Sequence, residues 1–363
     1  MEILNIVGAR PNFMKIAPLM AEYRRRDNVQ AVLVHTGQHY DEKMSRLFFS
    51  ELGIPQPDIN LEVGSGSHAA QTAEIMRRFE PVMLDAQPDV VVVVGDVNST
   101  IACGLVAAKL GVKLAHVEAG LRSFDRSMPE EINRVLTDAI SDFLLCTEQS
   151  GIENLLNEGI SKDKVHFVGN VMIDTLLNNK AKAQESTVLD RLGVNGNAYA
   201  LLTLHRPANV DDPQVFGNIL NAVDVILADM PVIFPVHPRT RTNLNSAAVG
   251  ARVERMAGLH LTEPLGYLDF LRLMTSAAVV LTDSGGIQEE TTILKVPCLT
   301  LRDNTERPVT VACGSNRIVG RDPQRIIAAY KDAVTPNGRR FLTPPLWDGQ
   351  AARRIVDVLL QEA

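Results

Sequence analysis

Polar and charged residues gather where short apolar runs end. Ile3–Val7 leads into Gly8-Ala9-Arg10-Pro11 and then Lys15; Val90–Val94 leads into Gly95-Asp96; Lys113–Val117, which carries His116, leads into Glu118-Ala119-Gly120-Leu121-Arg122. Farther along, Leu204 leads into His205-Arg206-Pro207, Val236 into His237-Pro238-Arg239, and Thr282 into Asp283-Ser284-Gly285-Gly286-Ile287-Gln288-Glu289-Glu290. Packing alone does not require so many apolar runs to end this way. Asp96 and Glu118 each follow a strongly apolar segment, where partial desolvation raises a carboxyl pKa and suits it to general acid or base work. Ser284-Gly285-Gly286 lets backbone approach a ligand closely. A helix starting there offers unpaired N–H groups and a positive dipole end, which suits phosphate or diphosphate. Glu290, near the first turn of that helix, can accept hydrogen bonds from a ribose diol.

Blander readings stand beside these. Ser284 can be a plain N-cap, with the glutamates favouring the dipole. Glu130 and Glu131 follow Pro129 at a helix start and suit the dipole in the same way. Arg134 lies four residues after Glu130, the spacing of an ion pair worth about 0.2–0.5 kcal/mol. His205 and His237 can each be a satisfied structural histidine, and Arg239 and Arg241 a solvated helix start.

The elements that must position these residues alternate. Ile3–Val7 precedes a helix through Ala17–Arg25, and Ala31–His35 precedes one through Glu42–Leu52. Asp89–Gly95, Lys113–Val117 and Phe143–Cys146 are further strands with helical stretches after them. Val90–Val94 is apolar on both faces, as a central parallel strand must be when helices cover both sides. After a break near Val168–Asn170 and a polar, helical stretch over Asn178–Gly196, strands recur at Ala200–Leu204, Val232–Val236, Leu259–Leu261, Ala278–Thr282, Cys298–Leu301 and Arg317–Val319. Ile355, Val358 and Leu359 have helical spacing near the C-terminus. The alternation implies right-handed βαβ units and doubly wound sheets. We therefore expect an α/β protein of two Rossmann-like domains facing across a cleft, where ligands collect at strand carboxyl ends. The first domain is expected over 1–170, joined by a C-terminal helix at 348–363, and the second over 171–347.

The 363 residues, 45% hydrophobic and 22% charged, suit two globular domains and exclude disorder for most of the chain. A net charge of −7 and a single Trp weigh against nucleic-acid binding. No cysteine pair has C-x-x-C or zinc spacing, so Cys103, Cys146, Cys298 and Cys313 read as small buried hydrophobes of a reducing compartment, and no metal is expected. The N-terminus lacks signal-peptide character and no apolar run can span a bilayer, so a soluble cytoplasmic protein without a membrane partner is expected. There is no P-loop and no complete G-x-G-x-x-G after a strand, which argues against ATP and nicotinamide chemistry; no cofactor is expected.

In their order, Gly8-Ala9-Arg10-Pro11 with Lys15, Gly95-Asp96, His116–Arg122, Met128-Pro129-Glu130-Glu131-Ile132-Asn133-Arg134, His205-Arg206, Thr282–Glu290 and Arg302–Pro308 are familiar. The chain closely resembles the non-hydrolysing UDP-N-acetylglucosamine 2-epimerases from about residue 3 to about residue 350. The resemblance implies the glycosyltransferase-B architecture, a homodimer, and reversible inversion at C2 to give UDP-N-acetylmannosamine for cell-surface polysaccharide synthesis, with neither metal nor nicotinamide. It implies that Asp96, Glu118, Glu130 and His205 are catalytic. It also implies that Arg10, Lys15, Arg134, His237, Phe270, Ser284, Gly285, Gly286, Glu290 and Arg307 bind substrate, with UDP mainly on the second half. There the Ser284–Gly286 turn holds phosphate, Glu290 the ribose, and Phe270 lies by the uracil. The sequence departs from the bacterial pattern at Ala9, Asn12-Phe13 and Leu265, and Gly37–Asp41 matches only part of a segment that in some members holds a second UDP-N-acetylglucosamine.

The implied chemistry fits the residues. C2 of the sugar is not acidic, so expulsion of UDP from C1 with loss of the C2 proton, to a 2-acetamidoglucal, is easier than direct proton exchange. Such a route needs a base, an acid and a diphosphate site. Enzymes that act on UDP-2,3-diacetamido-uronic acids share some of the segments and form the nearest alternative. A non-catalytic UDP-sugar sensor would need the Ser284–Glu290 features without the three carboxylates, and a glycosyltransferase would need an acceptor site.

Overall fold

The computed structural model describes residues 1–37, 50–244, 247–335 and 341–362. The expected helix over Glu42–Leu52 and the partial match at Gly37–Asp41 lie largely outside the described residues. The chain divides into two compact units, Met1–Asn178 with Pro345–Ala363, and Asn179–Pro344.

The first unit carries a seven-stranded sheet: β1 (Glu2–Val7), β2 (Gln30–His35), β3 (Ile59–Asn60), β4 (Val90–Val94), β5 (Lys113–Ala119), β6 (Phe143–Cys146) and β7 (Val165–Phe167), in the order β3-β2-β1-β4-β5-β6-β7. Every pairing is parallel. The five valines of β4 are at most 1% exposed, consistent with helices covering both faces of a parallel strand. The second unit carries β8 (Ala200–Thr203), β9 (Val232–Pro235), β10 (Leu259–Thr262), β11 (Val279–Thr282), β12 (Cys298–Thr300) and β13 (Asn316–Ile318), in the order β10-β9-β8-β11-β12-β13, again parallel throughout. Strand order reverses between β1 and β4 in one sheet and between β8 and β11 in the other. At such switch points the adjoining loops leave in opposite directions and open a crevice. The expected α/β class with two Rossmann-like domains stands.

Some elements differ from the sequence reading. The first helix runs from Arg10 to Tyr23 rather than from Ala17, with Pro11 in its first turn, where a missing N–H costs nothing, and Pro18 inside it. Strands β3 and β7 escaped the pattern because two and three residues are too few to show a period. The helix Val171–Gln184 crosses from one unit to the other. The C-terminal helix Ala351–Glu362 belongs to the first unit: the Asp174 carboxylate accepts the N–H groups of Ala351 and Ala352, and the Arg26 guanidinium meets Asp357 at 2.6 Å. Burial pushes the Asp174 carboxyl up to about 6 despite those amides. Cys103, Cys146 and Cys298 are buried, whereas Cys313 is half-buried; all are free thiols. Among the described residues no helix is long and apolar enough to cross a membrane, and no group of His, Cys, Asp and Glu is arranged to hold a metal ion.

Candidate active site

Several candidate residues flank the switch point of their own sheet: Lys15 follows β1 and Asp96 follows β4, while His205 follows β8 and Ser284 follows β11. In the first unit, Asn12 ties β1 to β4: its Oδ1 accepts the N–H groups of Gly8 and Ala9, and its Nδ2 donates to the Val94 carbonyl at 2.9 Å. One turn on, the Lys15 ammonium is ion-paired with Glu118, both side chains being at most 9% exposed. Glu118 stands at a bulge of β5 against β6, with φ of +78°, a left-handed conformation that costs a non-glycine residue about 1 kcal/mol or more and is concentrated at functional sites. Gly95 lies against this pair with φ of +70°; a Cβ there would meet Lys15 Nζ at 2.7 Å and Glu118 Oε2 at 3.3 Å, so glycine is required twice over.

The next carboxylate, Asp96, is also met by a cation. Arg134, on the helix Pro129–Ile140, donates to Asp96 Oδ2 from Nε at 3.0 Å and from Nη2 at 2.6 Å, and its Nη1 donates to Glu131 at 2.6 Å. Asn133 donates to the Asp96 carbonyl at 2.9 Å. The i,i+4 pair expected between Glu130 and Arg134 is not the one formed. Glu131 is the residue turned inward, and it also accepts the backbone N–H groups of Ser123 and Phe124. Burial works against ionisation of Glu131, but those amides and Arg134 hold its carboxyl below the ordinary value. Glu130 is half-buried on the first turn of the helix. Arg10 opens the helix that carries Lys15. The first unit thus joins Lys15 with Glu118 and Asp96 with Arg134.

In the second unit Asp283, fully buried after β11, reaches across the switch point to the loop after β8. It accepts from His205 Nδ1 at 2.8 Å, from the backbone N–H groups of His205 and Arg206, and from Asn209. Burial raises the Asp283 carboxyl, yet the His205 hydrogen bond and charge bring it below its ordinary value. The His205 side chain is 41% exposed and its ring centre lies 5.8 Å from that of His237. Arg239 and Arg241 pair with Asp211 and Glu263 at the surface, as a helix start in solvent allows.

Ser284 precedes the helix Gly285–Leu294 but makes no side-chain cap bond, so a plain N-cap role does not account for it. No acidic residue lies in the first turn of that helix; Glu290 stands in the second, a correction to its expected position. It is 3% exposed, accepts the Tyr267 hydroxyl at 2.8 Å, and burial pushes its carboxyl up to about 7. Phe270 is half-buried one turn after Tyr267, on the helix Tyr267–Ser276. Arg307 is buried and ion-paired with Glu289. Glu131, Asp283 and Tyr267 are the additions the structure makes. Asp283 could have been found as the first residue of the Asp-Ser-Gly-Gly run, whereas no local pattern signals the Tyr267–Glu290 bond.

The profile of the family described as UDP-N-acetylglucosamine 2-epimerase matches residues 21–360. The UDP-N-acetylglucosamine 2-epimerase of Methanocaldococcus jannaschii is 43% identical over 370 residues, with 99% of each chain covered. The UDP-2,3-diacetamido-2,3-dideoxy-D-glucuronate 2-epimerase of Pseudomonas aeruginosa is 40% identical over 369 residues, again with 99% of each covered. The crystal structure of the Methanocaldococcus jannaschii enzyme in complex with UDP-GlcNAc and UDP superposes with a TM-score of 0.92, covering 99% of this chain and all of that one. The Neisseria meningitidis UDP-GlcNAc 2-epimerase bound to UDP-GlcNAc gives 0.90 at 30% identity, with both chains fully covered. The chain belongs to the UDP-N-acetylglucosamine 2-epimerase family.

Proposed function

We propose that this epimerase interconverts UDP-N-acetylglucosamine and UDP-N-acetylmannosamine, and that it does so by eliminating UDP and adding it back. The observation that carries the reading is the pairing of Lys15 with Glu118 and Arg134 with Asp96 at one switch point, in a chain 43% identical to an enzyme of that name. A base removes the C2 proton; the C–H electron pair forms the C1=C2 bond as the C1–O bond breaks, and UDP leaves with that bond's pair. An acid then protonates C2 on the opposite face while UDP oxygen rebonds to C1, so no net oxidation occurs. Asp96, Glu118 and Glu130 are the candidates for the two proton transfers, each such transfer contributing about 10²–10⁴-fold. Lys15 and Arg134 hold the neighbouring carboxylates aligned. Departing diphosphate is stabilised by the N–H groups of Ser284–Gly286, by His205 and His237, and by Arg10 and Arg307, with Glu290 on the ribose and Phe270 by the uracil. A preorganised donor of this kind is worth about 3–4 kcal/mol.

In this reading, 1–170 with 348–363 acts on the sugar and 171–347 binds UDP. The enzyme works in the cytoplasm, where buried free thiols persist, and supplies surface polysaccharide synthesis. It works as a homodimer. The exposed apolar stripe Ile132, Val135 and Leu136 on one helix face favours association. A second reading, a diacetamido-uronate substrate, is favoured by the 40% identity to the Pseudomonas aeruginosa enzyme. Supplying each UDP-sugar separately and following the anomeric and C2 protons by NMR tests both. We expect a UDP-N-acetylmannosamine signal from UDP-N-acetylglucosamine; turnover of the uronate alone would reverse the choice.

A further inference from the structure

Beneath the carboxylates lies a buried network that the reaction scheme leaves unused. His116, on β5, is wholly buried; its Nδ1 lies 2.6 Å from Asp138 Oδ1 and its Nε2 lies 2.8 Å from the Gly95 carbonyl oxygen. A carbonyl oxygen only accepts, so Nε2 must carry a hydrogen. Asp138 is ionised: burial alone would lift its carboxyl, but the charges of His116 and Arg122 hold it below the ordinary value. Nδ1 is the ring nitrogen turned toward that carboxylate. The other Asp138 oxygen accepts Arg122 Nη1 at 2.7 Å and the Gly120 N–H at 3.1 Å. Arg122 extends the chain of charges to Glu158, and the neutral, deeply buried Cys146 thiol completes the ionisable surroundings.

We propose that His116 is a positioning residue whose Nε2–H fixes the Gly95 carbonyl, and with it the turn that sets Asp96 and packs against Lys15 and Glu118. Gly95 has no side chain to anchor it and a left-handed φ that many backbone states of glycine compete with. Its N–H is held by the Val117 carbonyl at 3.1 Å, and its carbonyl by His116, so both ends of this residue are tied to β5. Because Asp138 also grips Gly120, one buried hub fixes the segments on both sides of Glu118. The proposal rests on the reading of Asp96 and Glu118 as the proton-transfer groups.

Two measurements test it. Nitrogen-15 histidine NMR of the full chain reads which ring nitrogen carries hydrogen without reference to activity; we expect Nε2 of His116 to carry one. The second compares variants. In His116→Gln the amide nitrogen can occupy the Nε2 position and still donate to Gly95, whereas in His116→Asn it reaches only toward Asp138. Losing such an orienting partner typically costs about 10- to 100-fold, so His116→Asn should lower kcat by that factor with UDP affinity unchanged, and His116→Gln should regain most of the loss. An Nε2 without hydrogen overturns the proposal, as does an equal fall in kcat for the two variants or no fall in either. Should His116→Asn fail to fold, a kcat for His116→Gln as low as that of a Glu118→Gln enzyme overturns it. If the parent epimerises neither UDP-sugar while His116 Nε2 carries its hydrogen, the reaction reading fails and the ring assignment survives.

Discussion

At the switch point of the first sheet, side chains of opposite charge meet: Lys15 with Glu118, and Arg134 with Asp96 and Glu131. At the switch point of the second, a buried carboxylate gathers a histidine and backbone amides, and a helix begins with small residues and no cap bond. The two sheets share a strand-order pattern, yet one crevice is furnished with titratable side chains and the other with backbone N–H groups around a buried acid. Proton transfer needs groups that can change charge, while holding a diphosphate needs donors that cannot. The proposed function places chemistry on the first unit and nucleotide on the second, and this division can be broken by variants that act on the wrong side.

The largest effect is expected at Glu118. Glu118→Gln keeps the volume and an oxygen for Lys15 but loses the titratable proton, so kcat should fall about 10²–10⁴-fold with UDP affinity by calorimetry unchanged. Near-normal turnover would leave Glu118 a scaffold partner of Lys15. Next comes Glu290, where stability and binding should part. Its folded carboxyl is raised to about 7 by burial, so the folded state holds a proton that the unfolded chain releases at lower pH. That contribution is fully present below about pH 4.5 and is lost as pH rises to about 7, amounting to about 3 kcal/mol. Glu290→Gln should therefore show a flatter fall in denaturant midpoint between those limits and be the more stable protein above them. A parallel pH dependence in parent and variant would contradict the shift.

The same variant should weaken UDP by about 1–3 kcal/mol, the usual loss for a hydrogen bond to a charged group, with the deficit greatest above pH 7 where the parent carboxylate is ionised. Titration calorimetry at two pH values checks this. The smallest effect is at Ser284. Because its side chain makes no cap bond, Ser284→Ala should change stability by less than about 0.5 kcal/mol while still lowering UDP affinity. A large loss of melting temperature would return Ser284 to a capping role.

Much of this frame is legible in the chain. The fully apolar Val90–Val94 announces a central parallel strand, and the rule that ligands collect at strand carboxyl ends turns each following residue into a candidate. That rule singles out Asp96, Glu118, His205 and the Ser284–Gly286 turn as candidates. Pairings across many residues were not legible. Arg134 is three residues from Glu131 and four from Glu130, and only the inward turn of the helix decides between them. The His116–Asp138 and Tyr267–Glu290 bonds join different elements, so no local period reports them. The left-handed Glu118 is created by a bulge in strand pairing, a tertiary event that a residue with ordinary β preference does not reveal.

The central claim is that this chain moves a proton at C2 of its sugar while UDP departs and returns. Incubation with UDP-N-acetylglucosamine in D₂O, with both epimers read by NMR, tests it most directly. The account predicts deuterium at C2 of the UDP-N-acetylmannosamine formed, delivered by solvent-exchanged carboxyl groups of the first unit. Product that retains the original C2 hydrogen throughout would contradict it.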